Sequence, residues 1–434
     1  MTKANPGLSL MNRKKNKMKI RRLLFLLYTG LFATTSGASP ELPQYADETH
    51  LGVASCASST CHGSIKPRNS TKVLQNEYVV WSRLDAHQGA YQTLLSEESM
   101  WIARNLGLPN AHEADVCLDC HADNVASDKR DNRFQISDGV GCEACHGGAE
   151  SYLMSHTDPR QTHEDNIADG LYPTDQVEAR ASLCFSCHVG HEDKIASHEI
   201  MGAGHPRLGF ELDTFTILQP AHFVVDEDYE RAKWHADSVT VWALGQIEAG
   251  RQSLRLIEAH LDTGNLFPEL SLFDCHSCHH PMSDLKWQSK DRVGLPPGAV
   301  RLNDAGLVML IPLSKVITGS SSEFENAVRD LQVSTYRNKD KSKSIAKLRD
   351  LMDQLNSRVL EGIPDDKQLL SNILAMAKEG DFSDYVAAEQ AVMAIDLLFS
   401  YGDQRQQNAK WLDRMYEAVA DEDAFDPYEF QDIF

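Results

Sequence analysis

The chain has 434 residues, enough for two domains and more than one ordinary core needs. It carries 42 Lys and Arg against 63 Asp and Glu, a formal charge of −21. That acidic balance excludes nucleic acid and anionic membrane as natural partners, and says little about fold.

The first forty residues hold eight of the basic residues and no acidic one. A basic stretch from Arg13 to Arg22 precedes the apolar run Leu23–Leu27, which continues to Phe32, and the small residues Ser36, Gly37 and Ala38 follow. This order predicts an export signal over 1–38, cleaved after Ala38, and places the mature chain in the periplasm. Met18 to Ala38 is a complete signal by itself. The alternative, an uncleaved anchor, is disfavoured because the apolar run is short for a membrane span. Residues 39–55 read as an exposed lead-in.

From 56 to 290 the chain is rich in Cys, His and Gly and poor in periodic pattern. All ten cysteines lie between Cys56 and Cys278, and all eighteen histidines lie at or before His280. Four segments read C-x-x-C-H: Cys117–His121, Cys142–His146, Cys184–His188 and Cys275–His279. Two cysteines three positions apart on a helical turn form thioethers with the two vinyl groups of one macrocycle edge. The next residue, His121, His146, His188 or His279, then sits beneath the iron as proximal ligand. A structural zinc site or a redox dithiol explains one C-x-x-C, but not four copies each followed by His. A fifth segment, Cys56-Ala-Ser-Ser-Thr-Cys61-His62, has four intervening residues. Two extra residues can bulge outward while both sulfurs reach the vinyls, with His62 as proximal ligand. A small Cys56–Cys61 disulfide loop is the competing reading, which cysteine parity also permits. The composition therefore implies haem c, covalently attached, with five groups counting the expanded motif. Five haems over this stretch would themselves form much of the core.

Thirteen histidines remain as candidate sixth ligands. The rival Met100, Met154, Met201 and Met282 are few in the same region, which favours bis-His ligation and low potentials. Between Tyr229 and Leu261, Val239, Trp242, Ile247, Leu254 and Ile257 recur at helical spacing and predict one long helix stopped by Gly264.

Gly294-Leu-Pro-Pro-Gly298 marks a change of composition, beyond which no Cys or His occurs. The expected fold is mainly α with little regular structure in the cytochrome part, followed by an all-α domain over 299–420. Ile345, Leu348, Met352, Leu355 and Val359 share one helical face. Leu369, Leu370, Ile373 and Ala377 share a second, capped by Asp365 or Asp366 and ended by Gly380. Further helices run from Tyr385 to Ser400 and around Trp411, Leu412, Met415 and Val419, predicting antiparallel hairpins. The acidic tail 421–434 is expected to be mobile.

The run Tyr78-Val-Val-Trp81-Ser-Arg-Leu-Asp-Ala-His87, the Cys117 motif, Gly139-Val-Gly-Cys142-Glu-Ala-Cys145-His146-Gly147, His156 and the Cys184 motif together resemble the cytochrome c-554 family. The resemblance covers about 45–290 and departs in the expanded first motif, the fifth motif and the helical extension. It implies that His87 and His156 are distal ligands, His156 to the first haem. The segments around His198, His205-Pro206 and Pro220-Ala-His222 resemble a larger branch of related multihaem cytochromes, which adds those three histidines. One haem of the tetrahaem member is five-coordinate, so the coordination of every haem here stays open. His50, His112, His163 and His191 are expected to be solvated, His235 and His260 to be surface or packing residues on the long helix. His276 and His280 are poorly placed to ligate the iron of the motif they flank. The Gly202-Ala-Gly204 segment reads either as a close approach to a porphyrin face or as an ordinary turn.

Three functions follow as expectations, the third an assembly role in which the helical C-terminal domain docks the cytochrome onto a partner. The first is an electron carrier between periplasmic or membrane-bound redox proteins. The second is a multihaem oxidoreductase acting on a small nitrogen or sulfur compound at an open-coordinated haem. No C-x-x-C-K segment is present, which removes the lysine-ligated type of site from the second.

Overall fold

The computed structural model describes residues 40–68, 73–262, 267–279 and 293–434. The export signal, Gly264, His280 and Met282 lie outside the described residues. From Glu41 onward the chain forms one compact unit. It is mainly helical, and among the described residues there is no strand, only three isolated bridges.

The first part is built on short helices, four of which begin or end at a histidine: α1 (Glu77–Leu84), α2 (Glu97–Asn105), α3 (Asp115–His121), α4 (Cys142–His146), α5 (Val177–His188), α6 (His198–Gly202) and α7 (Leu212–Leu218). These helices own little apolar core. Two small clusters serve them, one around Leu94, Ala103, Ala111, Leu118 and Ala122 and one of Leu42, Tyr172 and Ala179.

The long helical run divides in two. After α8 (Glu227–Ala232) the backbone extends at Lys233, and α9 begins at Ser238 and ends at His260. The break comes from Asp237, whose carboxylate accepts from the Thr240 amide at 3.0 Å and caps the helix. The cap also moves His235 off the long helix, into the exposed stretch before it.

α9 is the spine of the molecule. Trp242, Ala243, Leu244, Ile247 and Leu254 are fully buried on it. It packs against α5 and against several, not all, of the helices that follow residue 304. Those helices are α10 (Leu310–Thr318), α11 (Ser322–Tyr336), α12 (Ser342–Glu361), α13 (Asp366–Lys378), α14 (Tyr385–Tyr401), α15 (Arg405–Ala418) and α16 (Pro427–Gln431). The faces read from periodicity are the buried ones: Ile345, Leu348, Met352, Leu355 and Val359 on α12, and Leu369, Ile373 and Ala377 on α13. Asp365 caps α13 by accepting from the Gln368 amide at 2.9 Å. One large cluster joins all of this. Apart from Val177, Ala181, Phe185, Leu212 and Ala236, its buried members lie at or beyond Val239.

The acidic end of the chain is not loose. Phe425 and Phe430 are buried in the same core, and the Trp411 indole donates to the Ile433 carbonyl at 2.9 Å. Charge reads as tail, but three phenylalanines and a Pro-initiated last helix hold it down.

Candidate haem-binding site

Four of the five attachment motifs sit on a tight helical turn. The second, third and fourth close α3, α4 and α5, and the fifth lies on a 3₁₀ turn at Cys275–Ser277, with the His279 amide donating to Cys275 O at 2.8 Å. The expanded first motif is also a closed turn: the His62 amide donates to Cys56 O at 3.2 Å and Cys61 to Ser58 O at 2.9 Å. The loop between the two cysteines is thus closed on itself by main-chain hydrogen bonds. None of the ten cysteines is joined to another in a disulfide. The sulfurs of Cys56 and Cys142 lie within hydrogen-bonding reach of each other, and so do those of Cys120 and Cys187.

The five motif histidines each face one other histidine across a similar gap. His62 faces His156 at 6.2 Å between ring centres, His87 faces His188 at 6.0 Å, and His121 faces His205 at 6.3 Å. His146 faces His222 at 6.2 Å and His198 faces His279 at 6.1 Å. With an iron–nitrogen bond of about 2 Å, and a ring centre about 1.2 Å behind its nitrogen, two imidazoles across one iron stand roughly 6.3 Å apart. Two pairs are nearly parallel, at 13° for His62/His156 and 28° for His198/His279. The other three are nearly perpendicular, at 88°, 84° and 88°.

Hydrogen bonds orient several of these rings. Nδ1–H of His121 donates to Ala90 O at 3.2 Å, that of His156 to Tyr152 O at 2.8 Å, and that of His205 to Pro206 O at 2.7 Å. His87 donates to Asp85 Oδ1 at 2.8 Å and His62 to Glu77 Oε2 at 3.0 Å. A ring that donates through Nδ1 keeps its lone pair on Nε2, the atom free to coordinate. Burial lowers the pKa of His121, His188 and His222, and brings His146 down to about 4, so these rings are neutral and able to bind metal. Hydrogen bonding to the carboxylates raises His62 and His87 instead. Burial pushes the Asp85 carboxyl up, but donors from His87 and Gln219 outweigh it and hold it at about 2.

The scaffold around the rings is fixed by groups that composition alone did not single out. Glu143, inside the third motif, is buried and accepts from the amides of Leu51, Gly52 and Ala149 at 2.7, 2.6 and 2.8 Å. It ties the lead-in to that motif. Gly139 lies against the carbonyls of Gln88 and His87 with φ of +75°, and a Cβ there would come within 2.8 Å of the former. The Val140 amide donates to His87 O at 3.1 Å, so the Gly-Val-Gly run is the seat of the His87 segment. Lys194 is buried between the second and fourth motifs, 2.9 Å from Asp119 O and 3.3 Å from Cys187 Sγ. The fifth motif is bound to the C-terminal helices: Arg301 pairs with Asp384 and lies 3.7 Å from Asp274, and His276 Nε2 lies 3.1 Å from Glu422 O. Arg207, two residues past His205, bridges Glu389 and Glu422 at 3.1 and 3.0 Å.

Three expectations are corrected. His50 is not solvated: it is fully buried, with Nδ1 donating to Asp123 Oδ2 at 2.8 Å. His163 is half-buried and pairs with Asp175 at 2.9 Å. Gly204 makes its close approach to a protein ring, since a Cβ would meet Trp101 Cζ3 at 2.3 Å.

These residues fit haem c. Among the described residues no group of three or more His, Cys, Asp or Glu converges, as a zinc site would require. Two imidazoles about 6 Å apart beside a cysteine pair would instead suit a covalently attached haem, with the histidines holding its iron and the cysteines its edge. Leu84, Ile217, Leu218 and Phe223, close along the chain to His87 and His222, present exposed apolar surface for such a group to cover.

Short helical C-x-x-C-H turns in a mainly α fold are the chemistry of a c-type cytochrome, a haem-based electron-transfer protein. Residues 55–147, spanning the first three motifs and His87, match the family model described as cytochrome c554 and c-prime, and over this segment the chain is cytochrome c-554-like. No curated protein and no solved structure matches the chain. No described helix is long and apolar enough to cross a membrane.

Proposed function

We propose that this chain is an exported five-haem electron carrier of the periplasm, with every iron held between two histidines. The observation that carries this reading is the one-to-one pairing of motif and non-motif histidines at 6.0 to 6.3 Å. The ligand pairs are His62/His156, His188/His87, His121/His205, His146/His222 and His279/His198. Haem supplies the one-electron ferric/ferrous couple. The cysteines Cys56 and Cys61, Cys117 and Cys120, Cys142 and Cys145, Cys184 and Cys187, Cys275 and Cys278 anchor it by thioethers. Two histidines would hold each iron and leave no position for a small substrate, which favours the carrier over the oxidoreductase. The neighbouring sulfurs of the first and third motifs, and of the second and fourth, argue for two closely spaced haem pairs. The partners are other redox proteins, which exchange single electrons at exposed haem edges.

The direct test is the mass of the mature protein. It should equal the chain from residue 39 plus five haems. A mass with four haems and one intact disulfide would return Cys56 and Cys61 to the alternative reading.

A further inference from the structure

The ten paired histidines differ in what their Nδ1 atoms touch. His121, His156 and His205 donate to main-chain carbonyls, which are neutral. His87 and His62 donate to carboxylates, Asp85 and Glu77. Asp85 is built into its place. It is 8% exposed, and Oδ1 accepts both the His87 ring and the His87 amide, at 2.8 and 3.0 Å. Oδ2 accepts from the Gln219 side chain at 3.0 Å. Glu77 is more open; its Oε1 accepts from the Gln75 amide at 2.9 Å while Oε2 holds His62.

A carboxylate that accepts from an axial imidazole draws the Nδ1 proton toward itself and increases electron donation through Nε2. The richer donor stabilises ferric iron over ferrous, because the ferric state carries the additional positive charge. A buried carboxylate acts more strongly than an exposed one.

We propose that Asp85 and Glu77 are potential-setting residues. They make the His87/His188 haem and the His62/His156 haem lower in potential than the bare ligand set would give, with Asp85 the stronger of the two. The inference rests on the bis-His reading above. Lys194, 3.3 Å from Cys187 Sγ, places a cation at the attachment edge of the His188 haem and acts in the opposite sense. The chain thus sets that haem's potential by opposed charges. A single substitution at Asp85 isolates one of them.

The two haems are separable by spectroscopy. Nearly parallel axial planes give a rhombic low-spin ferric signal, and nearly perpendicular planes a strongly anisotropic one. At 13° the His62/His156 haem belongs to the first kind, and at 88° the His87/His188 haem to the second.

The test is a paramagnetic-resonance redox titration of the full holoprotein and three variants, with haem content checked by mass. In Asp85→Asn, which keeps a capping side chain for the 86–89 turn, one strongly anisotropic signal should move upward in potential. Its ferrous-to-ferric ratio at fixed ambient potential should rise about tenfold, equivalent to 59 mV for one electron. Glu77→Gln should move one rhombic signal upward by less. Gln219→Leu removes a donor from Asp85 and leaves more of its charge to His87, so it should move the Asp85-sensitive signal downward. Five unmoved potentials, a uniform shift of all five, or conversion of the affected haem to high spin would each overturn the proposal. The last would make Asp85 a ring-holding residue only. A wild-type protein with fewer than five haems, or without two axial histidines on these irons, would instead overturn the reading beneath it.

Discussion

The two parts of this molecule are held together by different means. Beyond Val239 the helices bury a continuous apolar cluster centred on Trp242, Leu244, Ile247 and Leu254 of α9. Before Val177 the described residues share in only two small apolar clusters, and they are pinned by polar groups: Glu143 on three amides, His50 on Asp123, and Lys194 from further along the chain on Asp119. A stretch of this length with so little apolar core cannot offset its conformational entropy alone. It needs a core from elsewhere, which the five proposed macrocycles would supply. The contrast predicts that the first part depends on its cofactors and polar ties, the second on side-chain packing.

The contrast can be broken most severely by cutting between its parts. Ending the chain near residue 295 removes the helices that cover α9 and the partners of Arg207 and His276. Soluble yield should collapse; a stable truncated protein with full haem content would show that the first part stands alone. Next in size is Trp242→Ala, at a position with 0% exposure. It should cost about 3–5 kcal/mol, read as a lowered unfolding midpoint with an unchanged haem spectrum at low temperature.

A smaller loss is expected from Glu143→Gln. An amide nitrogen would replace one of the oxygens that three main-chain N–H groups share, at a cost of about 1–3 kcal/mol. Proteolysis should then nick the lead-in near Leu51 first, while the C-terminal helices resist as before. His50 gives a pH-dependent check. Desolvation lowers its pKa, but the Asp123 partner and nearby carboxylates prevail and raise it above 6.5. Its contribution should be fully present below pH of about 6.5 and lost as pH rises through the raised value. In His50→Gln that slope of stability against pH should flatten. The smallest effect belongs to Arg358→Ala, an exposed pair with Glu361 at 3.3 Å, which should change stability by under about 0.5 kcal/mol.

The same contrast explains what the amino-acid sequence disclosed. Where side chains make the core, periodicity reported it: the buried faces of α12 and α13 are legible, and Asp365 is one of the two caps the spacing allows. Where the proposed haems would make the core, spacing pointed to them through Cys-His motifs, and periodicity was silent. The Nδ1 partners were harder. Asp85 stands two residues before His87, a spacing that permits a ring hydrogen bond. Glu77 and His62 are fifteen residues apart and meet only through the fold. His50 looked like one more loop histidine, since its partner Asp123 is seventy-three residues away. The acidic last segment misled because its charge outweighed, to the eye, Phe425 and Phe430.

The central claim is that five irons each sit between two histidines. Low-temperature paramagnetic resonance of the oxidised holoprotein tests it most directly. Ring planes at 13° and 28° in two pairs and 84–88° in three predict only low-spin ferric haem, two rhombic signals and three strongly anisotropic ones. A high-spin ferric signal, or a haem with methionine as its sixth ligand, would contradict the account.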